Sequence, residues 1–176
     1  NNLNNACFGV GPYVRLVVNA LPNLGPNQEF IYCSGNPAVL LTPNLLGSNP
    51  GNFTYQWSYN GVPVNGGLGP QLLVAQEGVY TVRVTTNKGC FREQDITVVY
   101  SEPATITNIE VVDLSPVNSI TVTVSGAGEY EYALDSPNGP YQDSNVFSGI
   151  AAGIRTVYVR DKKGCGITQQ AVSILR

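Results

Sequence analysis

Four cysteines and two pairs of carboxylates are the residues of this chain whose types and spacing are suited to chemistry. The cysteines are Cys7, Cys33, Cys90 and Cys165, and no two of them form a C-x-x-C pair, which excludes the spacing of a zinc ribbon. The chain contains no histidine, so a nucleophilic cysteine would lack its usual general base. We therefore expect the cysteines to form structural disulfides.

The carboxylate pairs are Glu93 with Asp95 and Glu129 with Glu131, in each case two residues apart. A glycosidase needs two carboxyl groups about 5–10 Å apart across a cleft, one of them with a pKa raised by burial. Residues two apart on a strand share one face, and nothing in these segments indicates a cleft. We interpret both pairs as solvated strand faces, and we predict no catalytic residue, no enzymatic activity and no cofactor.

One loop carries several oxygen donors that would suit a calcium ion, and Asp135, Asn138 and Asp143 are the candidate ligands. The same residue types are those that tight turns require, because their side chains bond to the local backbone. No complete D-x-D-x-D-G loop is present, so we predict no metal site and retain these three residues only as candidates.

Three aromatic residues alternate along one segment and therefore share one face of a strand: Tyr55, Trp57 and Tyr59. If that face points into the core, the rings pack there. If it faces solvent, the rings would form a platform for stacking on sugar rings. We favour the core interpretation.

Composition restricts the classes of protein to which the chain can belong. It has 176 residues, enough for one large or two small domains, and only 12% of them are charged. The net charge of −3 gives no basic surface for nucleic acid. No apolar run approaches the ~20 residues of a membrane-spanning helix.

Alternating apolar and polar residues dominate the chain, as at positions 79–85, 120–124 and 157–159. This period of two, with many Val, Thr, Ile and Tyr residues, predicts half-buried strands. Clusters of Gly, Pro and Asn separate the strands every ~8–12 residues, a spacing typical of a β-sandwich. No helical apolar stripe extends over three turns, so we predict an all-β protein with almost no helix.

An internal repeat indicates the domain organisation. Residues 78–90 (GVYTVRVTTNKGC) and 153–165 (GIRTVYVRDKKGC) align without a gap at an offset of 75 residues. Cys7-Phe8 also resembles Cys90-Phe91. We therefore predict that residues 1–20 are the end of a preceding module, with a last strand at 13–18. Complete modules then follow at 21–100 and 101–176, joined by short segments that contain proline.

The first module carries marks of an immunoglobulin-like sandwich. Trp57 stands where the third strand would present a core indole, and Tyr80 stands in the Gly-x-Tyr of a tyrosine corner. Tyr132 takes the place of Trp57 in the second module. We predict that the core of the first module depends on Trp57, Leu40, Val74, Val82 and Val84.

Longer segments of the sequence resemble modules of known protein families. YEYALDSPNGPYQDSNVFSGIAAGIRTVYVRDKKGC, in the second module, resembles the repeat units of flavobacterial gliding-motility adhesins. FIYCSGNPAVLLTP and YQWSYNG, in the first, resemble immunoglobulin-like or PKD-like modules of large secreted Bacteroidetes proteins. The resemblance implies a secreted or cell-surface protein, associated with the outer membrane and exported by the type 9 secretion system. In such proteins a C-terminal sorting domain follows these modules.

Two disulfide pairings compete. Cys33 with Cys90 would lie within the first module, but the A–B and F–G turns that hold them occupy opposite ends of an immunoglobulin sandwich. A disulfide requires Cα atoms within about 7 Å. End-to-end stacking brings the A–B turn of one module beside the F–G turn of the next, which favours Cys33 with Cys165. An altered first strand would still permit the internal pair, so both pairings remain open.

The sequence thus favours a non-catalytic stalk segment of a secreted, cell-surface adhesin-type protein. Its expected partners are neighbouring modules of the same chain and, through a following sorting domain, the type 9 translocon or outer-membrane attachment proteins. The alternative is an accessory carbohydrate-binding module of a polysaccharide-degrading enzyme, with cell-surface glycans as ligands.

Overall fold

The computed structural model describes residues 18–47 and 52–175, and these residues form strands and loops without an α-helix. The module end predicted for residues 1–20 and its strand at 13–18 lie almost entirely outside the described residues. No helix long and apolar enough to cross a membrane occurs in the described part of the chain.

Two groups of strands each enclose a buried cluster of their own, and we call these groups the first and second modules. The strands of the first module are β1 (Gln28–Cys33), β2 (Val39–Leu41), β3 (Phe53–Tyr59), β4 (Val62–Pro63), β5 (Leu72–Val74), β6 (Gly78–Thr86) and β7 (Phe91–Ser101). Those of the second are β8 (Thr105–Val112), β9 (Ser119–Ser125), β10 (Tyr130–Leu134), β11 (Val146–Ser148), β12 (Gly153–Asp161) and β13 (Ile167–Ile174).

In the first module, a five-stranded sheet of order β1-β7-β6-β3-β4 packs against the two-stranded sheet β2-β5. All the pairs are antiparallel except β1 with β7, which run in parallel. This is the A′-G-F-C-C′ and B-E arrangement of an immunoglobulin sandwich. The predicted all-β, immunoglobulin-like fold is confirmed.

Strand alternation fills the core of the first module. Tyr80, Val82 and Val84 point inward from β6 and are at most 4% exposed. The prediction for Leu40 was wrong: it is 47% exposed and pairs with Leu73 on the outer face, whereas Leu41 is fully buried. Successive side chains of a strand point to opposite faces, so a shift of one residue exchanges core and surface.

Two hydrogen bonds anchor the aromatic side chains of this core. Trp57 is fully buried, and its indole Nε1 donates to the carbonyl oxygen of Gly69 at 2.9 Å. The Tyr80 hydroxyl donates to the carbonyl oxygen of Gln76 at 2.9 Å, four residues upstream. That bond is the tyrosine corner of an immunoglobulin domain, which ties the start of the F strand to the loop between strands E and F.

The second module has the three-stranded sheets β10-β12-β13 and β11-β9-β8. Its first strand, β8, pairs with β9, whereas the first strand of the other module pairs with the last strand. Ile120, Val122, Val157 and Val159 are fully buried, and Tyr132 is 8% exposed. The two modules therefore share one architecture with different placement of the first strand.

An arginine replaces the corner tyrosine in the second module. Arg155 follows Tyr80 by the 75 residues of the repeat, and its Nε donates to the carbonyl oxygen of Ala151, again four residues upstream, at 3.1 Å. Its Nη1 also contacts Asp135 Oδ2 at 2.8 Å. The charged side chain therefore closes the same loop and ties it to the end of β10.

Replacing the buried indole is expected to unfold the first module selectively. Trp57→Ala removes a fully buried side chain and a hydrogen bond, so the free energy of unfolding of that module should fall by about 3–5 kcal/mol. Urea denaturation followed by module-specific amide NMR signals measures this, with the exposed Leu73→Ala as the control. Equal destabilisation by both variants would contradict the assigned core.

Buried tyrosines are expected to make stability fall at alkaline pH. Burial, and to a smaller extent the neighbouring Tyr130, raises the pKa of Tyr132 above its ordinary 10.0. Above pH ~10 the unfolded chain therefore releases the proton first, so this contribution to stability is present below that pH and is lost as pH rises. The loss of stability of the second module between pH 9 and 11, measured by urea titration, should be smaller in Tyr132→Phe. An identical loss in both proteins would refute this assignment.

Candidate functional site at the inter-module joint

The first candidate carboxylate pair lies on the outer face of β6 and β7. Glu93 forms an ion pair with Arg83 at 2.8 Å, with both side chains nearly half exposed. Asp95 accepts a hydrogen bond from the Thr81 hydroxyl at 2.7 Å. Each carboxylate thus belongs to a cross-strand surface pair, and the two do not face each other across a cleft.

The second pair has the same character in the second module. Glu131 pairs with Arg160 at 2.6 Å, and Glu129 lies 4.0 Å from the ammonium group of Lys163. The Arg160 guanidinium also stacks on the ring of Tyr141, 3.8 Å from its centre. Basic partners hold both carboxylates, the half-buried Glu131 and the exposed Glu129, and the two do not face each other across a cleft.

Basic side chains also occupy the calcium-ligand candidates. Asp135 binds Arg155 and accepts a hydrogen bond from the Thr156 backbone at 3.0 Å, while Asp143 binds Lys162 at 2.5 Å. The hydrogen bond from Lys162 to Asp143 raises the pKa of that lysine. Asn138 lies in the intervening turn, where its backbone N–H donates to Ser136 Oγ. Across residues 18–47 and 52–175, no three His, Cys, Asp or Glu side chains are placed to hold a metal ion.

The alternating aromatic residues lie on the core face of β3. Tyr55 is 5% exposed and Trp57 is fully buried. Tyr59 is half-buried; its hydroxyl donates to the carbonyl oxygen of Glu77 at 2.8 Å and its ring contacts that of Tyr80. The face that a sugar platform would need is therefore taken up by packing.

Two of the cysteines, Cys33 and Cys165, meet at the joint between the modules. Cys33 ends β1, and its parallel partner on β7 is Ser101, the last residue of that strand. Cys165 lies in the β12–β13 turn, and a disulfide joins it to Cys33 with a Cα–Cα distance of 5.3 Å. Of the two pairings that the sequence left open, this is the cross-module one.

The internal pairing is excluded by the length of β7. Cys90 immediately precedes β7, whose 11 residues end at Ser101 beside Cys33. A strand of that length spans about 33 Å or more, far beyond the ~7 Å that a disulfide permits between Cα atoms. Cys90 is a free, partly buried thiol.

A buried polar contact accompanies the disulfide. The Ser101 hydroxyl donates to Asp161 Oδ1 at 2.9 Å, and the backbone N–H of Cys165 donates to Asp161 Oδ2 at 2.9 Å. Ser101 is fully buried and Asp161 is 1% exposed. The carboxylate therefore joins the end of the first module to the turn that carries Cys165. Sequence reasoning missed this pair; the position of Asp161 at the start of a repeated turn was the available signal.

The connecting segment is fixed on both sides. Glu102 accepts hydrogen bonds from the Tyr100 hydroxyl and from the backbone of Ala127, both at 2.9 Å. The Tyr130 hydroxyl donates to the carbonyl oxygen of Glu102 at 3.1 Å. The hydrogen bond to Glu102 is also the main cause of a raised pKa at Tyr100. Side chains of both modules thus converge on a single linker residue.

The rest of the linker packs against the second module. The Thr168 hydroxyl donates to the carbonyl oxygen of Ala104 at 2.6 Å. A Cβ atom at Gly166 would lie 2.8 Å from the ring of Pro103, so only glycine permits this approach. Covalent, polar and steric contacts therefore all meet at the joint between the modules.

Comparisons with known proteins agree with the immunoglobulin-like architecture. Sidekick-1 immunoglobulin domains 1–4 match with a TM-score of 0.52 and 14% identity over 91% of this chain and 48% of that one. Murine CEACAM1b matches with 0.51 and 15% over 82% and 94%. The CD2-binding domain of CD58 matches with 0.56 and 9% over 85% and 98%. No protein-family model and no curated protein matches the chain.

These similarities establish the class of fold: the chain is built of immunoglobulin-like β-sandwiches. It spans about half the length of the Sidekick-1 segment. Identities of 9–15% carry no statement about activity or ligand.

Loss of the buried carboxylate is expected to destabilise the joint. Asp161→Ala leaves the Ser101 hydroxyl and the Cys165 N–H without their acceptor, so the free energy of unfolding should fall by about 2–3 kcal/mol. Asp143→Ala is the matched control, because its side chain is 83% exposed and its loss should cost less than about 1 kcal/mol. Urea denaturation measures both changes. If Ser101→Ala and Asp161→Ala are additive, the contact across the joint contributes nothing.

Proposed function

We propose that the chain is a non-catalytic stalk segment of a secreted, adhesin-type cell-surface protein. In this proposal residues 21–100 and 101–176 are spacer modules, with Ser101, the last residue of β7, at the boundary between them, and they hold a distal binding region away from the cell. The observation that carries the proposal is the cross-module disulfide between Cys33 and Cys165, together with the buried Ser101–Asp161 hydrogen bond beside it.

The path of the chain through the first module supports a mechanical role. β1 and β7 run in parallel over six paired residues and lead toward the same joint. While the disulfide is intact, a load that pulls the incoming chain away from the second module passes along β1 and through the bond from Cys33 to Cys165. This covalent path spares the ladder hydrogen bonds between β1 and β7 most of that load.

The disulfide also directs load across the joint. Its two cysteines are 132 residues apart in sequence, and one is contributed by each module. With this bond in place the modules are connected twice, once through the linker at Glu102 and once through sulfur. Two connections resist bending about the linker, which a single peptide chain does not.

The same bond supports a location outside the cytoplasm. Structural disulfides persist in oxidising environments outside the cytoplasm. Together with the resemblance to flavobacterial adhesin repeats, this supports a cell-surface or extracellular location with export by the type 9 secretion system. The proposed partners are neighbouring modules and the attachment machinery that a following sorting domain would engage.

Sugar binding is the weaker proposal, because the aromatic face of β3 is packed in the core. Tyr55 and Trp57 have no exposed ring face to offer a glycan. A spacer should accordingly bind no sugar at millimolar concentration.

The stalk proposal predicts that the two modules tumble as one body. Backbone ¹⁵N relaxation of the 176-residue chain should give equal rotational correlation times for both modules. The double variant Cys33→Ser, Cys165→Ser should give shorter and unequal times, because the second connection is lost. Cys90→Ser is the matched control and should behave as the unaltered chain does. Independent tumbling of the modules in the unaltered chain would overturn the proposal.

A further inference from the structure

The first module repeats the turn that holds Cys165, but its cysteine is free. In the β12–β13 turn, Asp161 Oδ2 accepts a hydrogen bond from the backbone N–H of Cys165. In the β6–β7 turn, 75 residues earlier, Thr86 Oγ1 accepts one from the N–H of Cys90 at 3.2 Å. The same local construction therefore presents one bonded cysteine and one free cysteine.

In both modules the incoming segment passes beside the beginning of the last strand. In the second module, Thr168 on the last strand donates to the carbonyl oxygen of Ala104 in the incoming segment. In the first, Gln94 on the last strand donates to the carbonyl oxygen of Gly25 at 3.1 Å. The segment before β1 therefore approaches from the end of the sandwich where Cys90 lies. A module that precedes Gly25 in the chain would therefore adjoin that end.

One aromatic ring next to Cys90 is partly exposed. Phe91, the next residue, is 45% exposed, and the Arg83 guanidinium lies 3.9 Å from the centre of its ring. The corresponding residue in the second module is Gly166, which Pro103 of the joint covers. We call Cys90 and Phe91 together the upper tip.

We propose that the upper tip docks another immunoglobulin-like module of the same protein, N-terminal to the first, and that Cys90 forms a disulfide with a cysteine at the end of that module's first strand. This inference rests on the proposed function, since it extends the same joint along the stalk. The occupant is inferred from the joint between the first and second modules, which we call the lower joint. There Cys33, at the end of the first strand of one module, forms a disulfide with Cys165 in the equivalent turn of the next. The repeat of Cys90-Phe91 as Cys7-Phe8 is a further sign that such modules occur in tandem.

The upper joint differs from the lower one in a way that fits an apolar contact. Gly166 permits close approach of Pro103, whereas Phe91 presents a ring at that position. The docking module would therefore contact the aromatic ring while its cysteine reaches Cys90 beside it. Covering this ring on docking removes apolar surface from water, which favours association.

Formation of the bond is an ordinary thiol–disulfide exchange. The Cys90 thiolate attacks an external disulfide, such as that of a thiol oxidase or a small-molecule disulfide, and expels one of its sulfurs as a thiolate. The second cysteine then attacks the mixed disulfide, forms the bond to Cys90 and releases the other sulfur. Two thiols lose two protons and two electrons, and the external disulfide is reduced to the dithiol.

Peptide mapping of the full-length protein under non-reducing conditions tests the proposal. Free thiols are first alkylated under denaturing conditions, and trypsin then cleaves at mildly acidic pH to suppress exchange. The lysines and arginines place each cysteine in a different peptide: Cys7 in 1–15 (or a longer peptide ending at Arg15), Cys33 in 16–83, Cys90 in 89–92 and Cys165 in 164–176. We expect peptide 89–92 linked to a cysteine peptide from the chain before residue 1.

The lower joint provides the internal control in the same digest. Recovery of 16–83 linked to 164–176 shows that disulfides survived preparation. With that link present, peptide 89–92 recovered alkylated, linked to Cys7, or linked to Cys90 of a second copy would overturn the upper joint and leave the stalk proposal standing. Loss of the lower link, with alkylated Cys33 and Cys165, would instead overturn the stalk proposal.

A variant gives a second, independent readout. In the full-length protein, Cys90→Ser should shorten the rotational correlation time of the preceding module while both modules described above keep theirs. The double variant Cys33→Ser, Cys165→Ser should instead shorten the correlation time of the second module and leave that of the preceding module unchanged. No change from Cys90→Ser, with a clear change from the lower pair, would contradict a covalent upper joint.

Discussion

Parallel pairing of β1 with β7 is the constraint on which the rest of the structure depends. It makes the first strand and the last strand of the first module end together, so that Cys33 and Ser101 are register partners at the edge of the second module. Every strong contact of the joint starts from one of these residues or from the linker that follows. Had β1 paired with β2, as β8 pairs with β9, Cys33 would not lie beside Ser101.

The joint combines a covalent bond with a buried carboxylate that both modules bind. Asp161 belongs to the second module, yet one of its oxygens is bound by Ser101 of the first. A buried charge without its hydrogen-bond partners is costly, so this arrangement favours one relative placement of the modules over others. The disulfide then keeps that placement when the weaker contacts open.

The two modules show how one architecture tolerates different chemistry at equivalent positions. Tyr80 and Arg155 both reach back four residues to a carbonyl oxygen, one with a neutral hydroxyl and the other with a guanidinium. Both positions require a side-chain donor near the start of the strand that is long enough to reach that carbonyl oxygen. Residue identity at such a position is therefore a poor guide to structure, while its spacing within the repeat is a good one.

The sequence by itself determined the strands, the turns between them, the repeat and the class of fold, because alternation and turn residues are local properties of the chain. It also narrowed the partners of Cys33 to two, since sandwich topology limits which turns can meet. Only the tertiary structure decided that Leu41 is buried and Leu40 exposed, that Cys165 is the partner of Cys33, and that Asp161 binds Ser101. Those outcomes depend on register and on contacts between residues 60 and 132 positions apart, which no local pattern specifies.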